Sequence, residues 1–166
     1  GTEAAMPLYR DFAFLSGKNP DHFLFRDLLM NTEQAKTRYT LAKDYSSMFR
    51  NEAVSRDTIK AYDVMILACL EFDDLNVAFR LASRVITTNK SRNGEEDPKL
   101  WRWAEWARPL VKAGLEVEDN RVWPIVDALD QGDDGPAKMV RLLLSQRRQG
   151  SKGVDTREKN DTPDAL

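Results

Sequence analysis

The chain has 166 residues, 42% apolar and 31% charged, which suits a soluble helical domain able to bury a core without disulfides or metals. Its 25 Lys and Arg against 27 Asp and Glu leave a formal charge of −2, which argues against a general nucleic-acid binder, since those gather cations against phosphate. Cys69 is the single cysteine, so an intramolecular disulfide is excluded and a reducing compartment such as cytosol or mitochondrial matrix is expected.

No apolar run approaches the ~20 residues of a membrane span. The opening Gly1-Thr2-Glu3-Ala4-Ala5 fits either the end left by a removed targeting segment or an added stretch ahead of Met6. Residues 1–19 carry Pro7, Gly17 and the rings Tyr9, Phe12 and Phe14, and read as an extended arm. Pro20 and Asp21 open a short predicted helix through Met30, with Phe23, Leu24, Leu28 and Leu29 on its apolar side. Thr32 is the expected N-cap of a longer helix to about Arg50, carrying Ala35, Tyr39, Ala42, Tyr45, Ser46 and Phe49.

The most regular stretch runs from Ser55, an expected cap, to Lys90. Ile59, Tyr62, Ile66, Cys69 and Leu70 recur at helical spacing, with Val64, Met65 and Leu67 widening the stripe. Leu75, Ala78, Phe79, Ala82, Val85 and Ile86 repeat the rhythm, leaving Arg80, Ser83, Arg84, Thr87 and Thr88 on the other side. Phe72-Asp73-Asp74 lies between, with Asp74 placed to cap the second helix. A connection this short makes the two helices antiparallel, and Ala78 and Ala82 permit close approach.

After a polar loop at 91–96, Asp97-Pro98 starts a predicted helix carrying Leu100, Trp101, Trp103, Ala104, Trp106 and Ala107. Pro109 demands a kink or break near Ala107, and Gly114 is the expected stop. Asp119 or Asn120 starts the next helix, with Val122, Trp123, Ile125, Val126 and Leu129 apolar and Gly132 ending it. Gly135-Pro136 opens the last, which carries Met139, Val140, Leu142, Leu143 and Leu144 and is expected to end near Gly150. Residues 151–166 hold too little apolar surface to order themselves and read as a flexible or partner-wrapped tail. The prediction is therefore an all-α fold with one domain over 20–150. Helix starts near Arg56, Pro98 and Pro136, roughly 40 residues apart, suggest antiparallel hairpins in a right-handed solenoid-like array.

Groups suited to catalysis are scattered. His22, the single histidine, opens a helix and reads as exposed or capping, while Cys69 on an apolar face reads as a buried, inert thiol. One His and one Cys exclude a soft metal site of three or four N/S ligands. The carboxylate groups Asp73-Asp74, Glu95-Glu96-Asp97 and Asp130 with Asp133-Asp134 lack calcium-loop spacing and are explained by helix capping. Gly132 and Gly135 make no phosphate loop. No catalytic residue, cofactor or metal is expected. Trp101, Trp103 and Trp106 cannot all enter one groove, which leaves either a helix sandwiched between neighbours or an aromatic anchor for a protein partner. Arg141, Arg147, Arg148 and Lys152 form a basic cluster that reads first as a solvated helix end, and otherwise as a partner, phosphate or RNA contact.

Over residues 40–116 the order Ala68-Cys69, Asp73-Asp74, Ala78 with Arg80, Trp101, Arg108-Pro109 and Gly114 resembles the matrix-side helical subunit Va of mitochondrial cytochrome c oxidase. The same hairpin pattern is similar, more generally, to tetratricopeptide and pentatricopeptide repeats. The first resemblance implies a non-catalytic subunit of the respiratory-chain oxidase, peripheral on the matrix side of the inner membrane and held by other subunits. The second implies an organellar repeat protein that binds RNA or proteins.

Overall fold

The computed structural model describes residues 22–50, 54, 58–88 and 100–161, and the side chains within 24–50, 54, 58–87 and 101–149. The expected arm at 1–19, the helix opening at Pro20 and Asp21, the Ser55 cap, the loop at 91–96 and the Asp97-Pro98 start lie outside these residues. So do the side chains of His22, Phe23 and Lys152. Among the described residues there are seven α-helices and no strand. They are α1 His22–Asn31, α2 Ala35–Met48, α3 Ile59–Glu71 and α4 Leu75–Thr88, then α5 Ala107–Glu116, α6 Val122–Leu129 and α7 Gly135–Asp161, with a 3-10 turn at Leu100–Trp103 ahead of α5. The expected all-α, helical-repeat-like class is what forms. The chain divides into two compact units between Leu110 and Val111.

In the first unit each helix reverses on the one before. The Phe25 ring of α1 meets Tyr45 at 5.2 Å and Phe49 at 5.8 Å, near the C-terminal end of α2. Tyr45 meets Tyr62 at the start of α3 at 5.7 Å, while Tyr39 at the start of α2 stacks on Phe72 at the end of α3 at 5.0 Å. These pairings fix α2 antiparallel to α3. The α3–α4 hairpin closes as its spacing requires, with Tyr62, Met65, Ile66 and Cys69 of α3 and Ala78, Phe79, Ala82 and Val85 of α4 buried. Alanines at 78 and 82 let α4 lie close, because no long side chain holds the axes apart.

The turn is built by two aspartates. Asp73 adopts φ 55°, and its N–H bonds to the Leu70 carbonyl at 3.2 Å while the Asp74 N–H reaches Cys69 at 2.9 Å, the Schellman closure of α3. Asp74 then accepts the Val77 N–H on Oδ1 at 3.1 Å and caps α4, as its position in the sequence anticipated.

Other expectations need correction. Thr32 does not cap α2; Gln34 holds the N-cap position in extended conformation, and Thr32 is buried with its carbonyl accepting from Arg38 Nε at 2.9 Å. Phe25 joins Leu29 in the core of α1 while Leu24 stays half exposed, since the buried stripe of this short helix is rotated from the expected one. Val77 and Leu81 are core residues missing from the predicted α4 face.

In the second unit α6 and α7 pack on each other, and Val122, Ile125, Val126, Leu129, Ala137, Val140 and Leu143 are buried. Gly114 does not stop α5. It lies inside the helix, whose end is set by Glu118 at φ 56°, with Glu118 N–H bonded to Leu115 at 3.3 Å and Asp119 N–H to Gly114 at 2.9 Å. Asp119 receives the Arg121 N–H at 3.0 Å and leads into α6, whose Pro124 sits in the first turn, where a missing N–H costs nothing. Gly132, at φ 69°, lies in the α6–α7 connection, and Asp134 caps α7 through the Ala137 N–H at 3.1 Å. The last helix runs on to Asp161, past the expected end near Gly150.

Glu118 is a long side chain in left-handed backbone where glycine carries no penalty. Glu118→Gly is expected to raise stability by about 0.5–1 kcal/mol, read from the denaturation midpoint, and Asp73→Gly by less because aspartate tolerates this conformation better and contributes charge near α4.

Candidate functional site

Pro109 decides the geometry of the tryptophan segment. Its ring is incompatible with a continuous helix through 105, so α5 begins at Ala107 and Pro109 falls in its first turn. The break is where the sequence placed it, but the residues before it are not the expected helix. They form the tight turn Leu100–Trp103, followed by Ala104 N–H to Trp101 carbonyl at 3.0 Å and Ala107 N–H to Ala104 at 3.1 Å.

This winding separates the three indoles. Trp101 is 2% and Trp106 0% exposed, and their rings stack at 6.0 Å with planes 11° apart. Trp106 Nε1–H donates to Asp63 Oδ1 on α3 at 2.7 Å, which ties the segment to the hairpin. Trp103 points the other way at 67% exposure. Of the anchors expected from sequence, Trp101 and Trp106 belong to the core and Trp103 alone presents its face.

The basic cluster is dispersed into the fold. Arg141 reaches back over the α6–α7 connection, with Nε to Asp130 at 2.6 Å, Nη1 to Asp133 at 3.1 Å and Nη2 to the Gly132 carbonyl at 2.7 Å. Its guanidinium fills the one place where those acidic groups converge, and its pKa is raised further by them. Arg147 lies 3.6 Å from Glu118, and Arg148 is exposed on the same helix. Arg141 is thus engaged by the carboxylates of its own connection, whereas the Arg147–Glu118 pair is long and solvent-exposed.

Burial pushes the Cys69 thiol up to about 12, with the charge of Asp74 adding to the effect, so the thiol stays protonated, as expected of an inert cysteine. Tyr39 is also pushed up to about 12, first by its hydrogen bond to Asp74 Oδ2 at 2.6 Å and then by burial. It remains a donor throughout the physiological range. A cavity of about 10 Å³ lies between Phe25, Leu29, Tyr45, Ala61 and Met65, room for one water molecule. No group of three His, Cys, Asp or Glu among the described residues is placed to hold a metal ion. The Tyr62 hydroxyl is buried with no hydrogen-bond partner among them, and nothing in the fold accounts for it.

Asp63 was not singled out by the sequence, because its partner lies on a segment remote in the chain. Its carboxyl titrates above the usual range: burial raises it, the Trp106 donor opposes this, and Glu105 adds to the rise. A raised acid pKa means the fold holds the proton more tightly than the unfolded chain does, so this group favours folding most at low pH and the benefit fades as pH climbs through and just above the carboxylate range. Asp63→Asn keeps an oxygen for the indole and removes that charge. It is expected to melt at or above the parent at neutral pH, with the difference shrinking as pH falls toward 4. Thermal melts across pH read this directly.

No family model matches this sequence, and neither the curated proteins nor the solved structures contain a match to it.

Proposed function

We propose that this chain is a non-catalytic structural subunit of a larger protein assembly, docked through Trp103. The observation that carries the reading is one indole, about two-thirds exposed, set between two clamped ones. A rigid aromatic with few rotatable bonds loses little entropy when a partner covers it. The polar groups best suited to chemistry are already occupied in packing: Asp74 joins α2, α3 and α4, Asp63 holds Trp106, and Arg141 closes a connection. The resemblance of residues 40–116 to subunit Va gives the assembly a name, the mitochondrial oxidase, with this chain peripheral on its matrix side. Among the described residues no helix is long and apolar enough to cross a membrane, so attachment there would run through neighbouring subunits.

Affinity isolation from the native source tests both levels. The parent is expected to elute with a haem-containing membrane complex, and Trp103→Ala to reduce that recovery about tenfold or more while changing stability by less than about 0.5 kcal/mol. Elution with a protein partner but without haem removes the oxidase and leaves the scaffold. Undiminished recovery of Trp103→Ala removes the anchor.

A further inference from the structure

The tip of the α3–α4 hairpin presents a second aromatic face. Phe72, the C-cap of α3, is 40% exposed although its ring stacks on Tyr39 of α2, with centroids 5.0 Å and planes 11° apart. A near-parallel stack covers one face of a ring, so the exposed area belongs to the other face and the edge. The pair already attracts one cation: the Lys43 ammonium lies 5.2 Å from the Tyr39 centroid. On either side of Phe72 in the chain stand Glu71 and Asp73, both exposed, with Cα atoms about 3.8 Å from its own. Among the described residues neither carboxylate has an ion-pair or hydrogen-bond partner, and the capping carboxylate of this turn is Asp74. The cations of the packed elements do not cancel this charge. Lys36 and Lys43 of α2 are exposed, Arg38 turns to the Thr32 carbonyl at 2.9 Å, and Arg80 of α4 turns away to Ser46 Oγ at 3.2 Å. Asp44 follows Lys43 on α2 and Asp74 holds the Tyr39 hydroxyl at 2.6 Å, so with Glu71 and Asp73 the carboxylates outnumber the ammoniums.

We infer that the hairpin tip receives an arginine side chain of a partner protein, its guanidinium stacked on the open face of Phe72 and held by Glu71 and Asp73. A guanidinium is planar, weakly hydrated and rich in donors, so it lies flat on an aromatic ring while its N–H groups reach carboxylates at the rim. The same two carboxylates repel a polyanion such as RNA. The inference rests on the scaffold reading and supplies a second contact, apart from Trp103.

The test is fluorescence anisotropy of a fluorescein-labelled octapeptide of alternating Arg and Gly titrated with the full chain. Saturable, salt-weakened binding is expected, reduced about tenfold by Glu71→Gln combined with Asp73→Asn and unchanged by Glu116→Gln, which alters an exposed carboxylate on α5. The combined variant is expected to melt with the parent, because neither side chain has a bond to lose. Phe72→Leu keeps an apolar cover over Tyr39 but no aromatic face. It is expected to weaken the Arg peptide severalfold, to the level of a Lys-Gly octapeptide, which the parent holds less tightly than the Arg peptide. Absence of saturable binding overturns the inference, as does an equal loss on Glu116→Gln, or Arg and Lys peptides bound alike by the parent. Because the titration uses the isolated chain, its failure beside an intact, Trp103-dependent co-purification would condemn the arginine contact alone; peptide binding with no native partner would condemn the scaffold.

Discussion

Replacing Asp74 by alanine is expected to lower the unfolding free energy by about 2–4 kcal/mol and the melting temperature by roughly 5–15 °C. The residue does two jobs with its two oxygens. Oδ1 takes the Val77 N–H at 3.1 Å, a cap worth about 1 kcal/mol, and Oδ2 takes the Tyr39 hydroxyl at 2.6 Å, a bond to a charged acceptor worth about 1.5–3 kcal/mol. Both losses fall on the connection between α3 and α4 and on its tie to α2. Asp74→Asn keeps one oxygen for the cap and turns an amide N–H toward the phenol oxygen, a neutral bond in place of a charge-assisted one, so about half the loss is expected. In urea titrations, Tyr39→Phe and Asp74→Ala should combine to less than the sum of their separate effects, because they break the same bond. Full additivity would show that the phenol and the carboxylate do not depend on one another.

Trp106→Ala is expected to cost about 3–5 kcal/mol, the range for deleting a buried aromatic. The site has little scope to collapse, since Trp101 stacks on the lost ring at 6.0 Å and Asp63 is left without the indole donor 2.7 Å away. Trp106→Phe restores most of the volume but not the N–H, and about 1–3 kcal/mol of loss should remain from the carboxylate left half-buried. Trp103→Ala, two helical positions away from Trp101 in sequence, should be nearly silent in the same melts. A near-ultraviolet circular dichroism band from the stacked pair should vanish in the position 101 and 106 variants and persist in the position 103 variant.

The α3–α4 hairpin was legible because local rules agree there: helical spacing of apolar residues, a short acidic connection and a capping aspartate all specify one geometry. Where only one rule spoke, the reading failed. Thr32 has the side chain of a cap but is drawn into the core, and Gly114 has the backbone freedom of a stop but lies within α5, which Glu118 ends instead. The ten residues of α1 are too few for periodicity to choose between Leu24 and Phe25. Spacing alone makes the tryptophan segment a helix, although Pro109 forbids that helix to continue into α5. Its three indoles could be flagged together but not sorted. Sorting them required Asp63, brought there by the fold from another helix, and no pattern within the segment points to it. Arg80 looked like an ordinary solvated residue for the same reason, since Ser46 reaches it only across the α2–α4 contact.

Covalent capture from position 103 addresses the scaffold reading most directly. A photo-reactive phenylalanine analogue placed there in the native host should, on illumination, give a single discrete adduct with a protein that also co-purifies with the parent chain and is lost from Trp103→Ala. The same analogue at Leu142, an exposed position on α7, should not give that adduct. If position 103 yields no adduct, or the same scatter of products as position 142, the exposed indole meets only water and the chain is not held in an assembly through it.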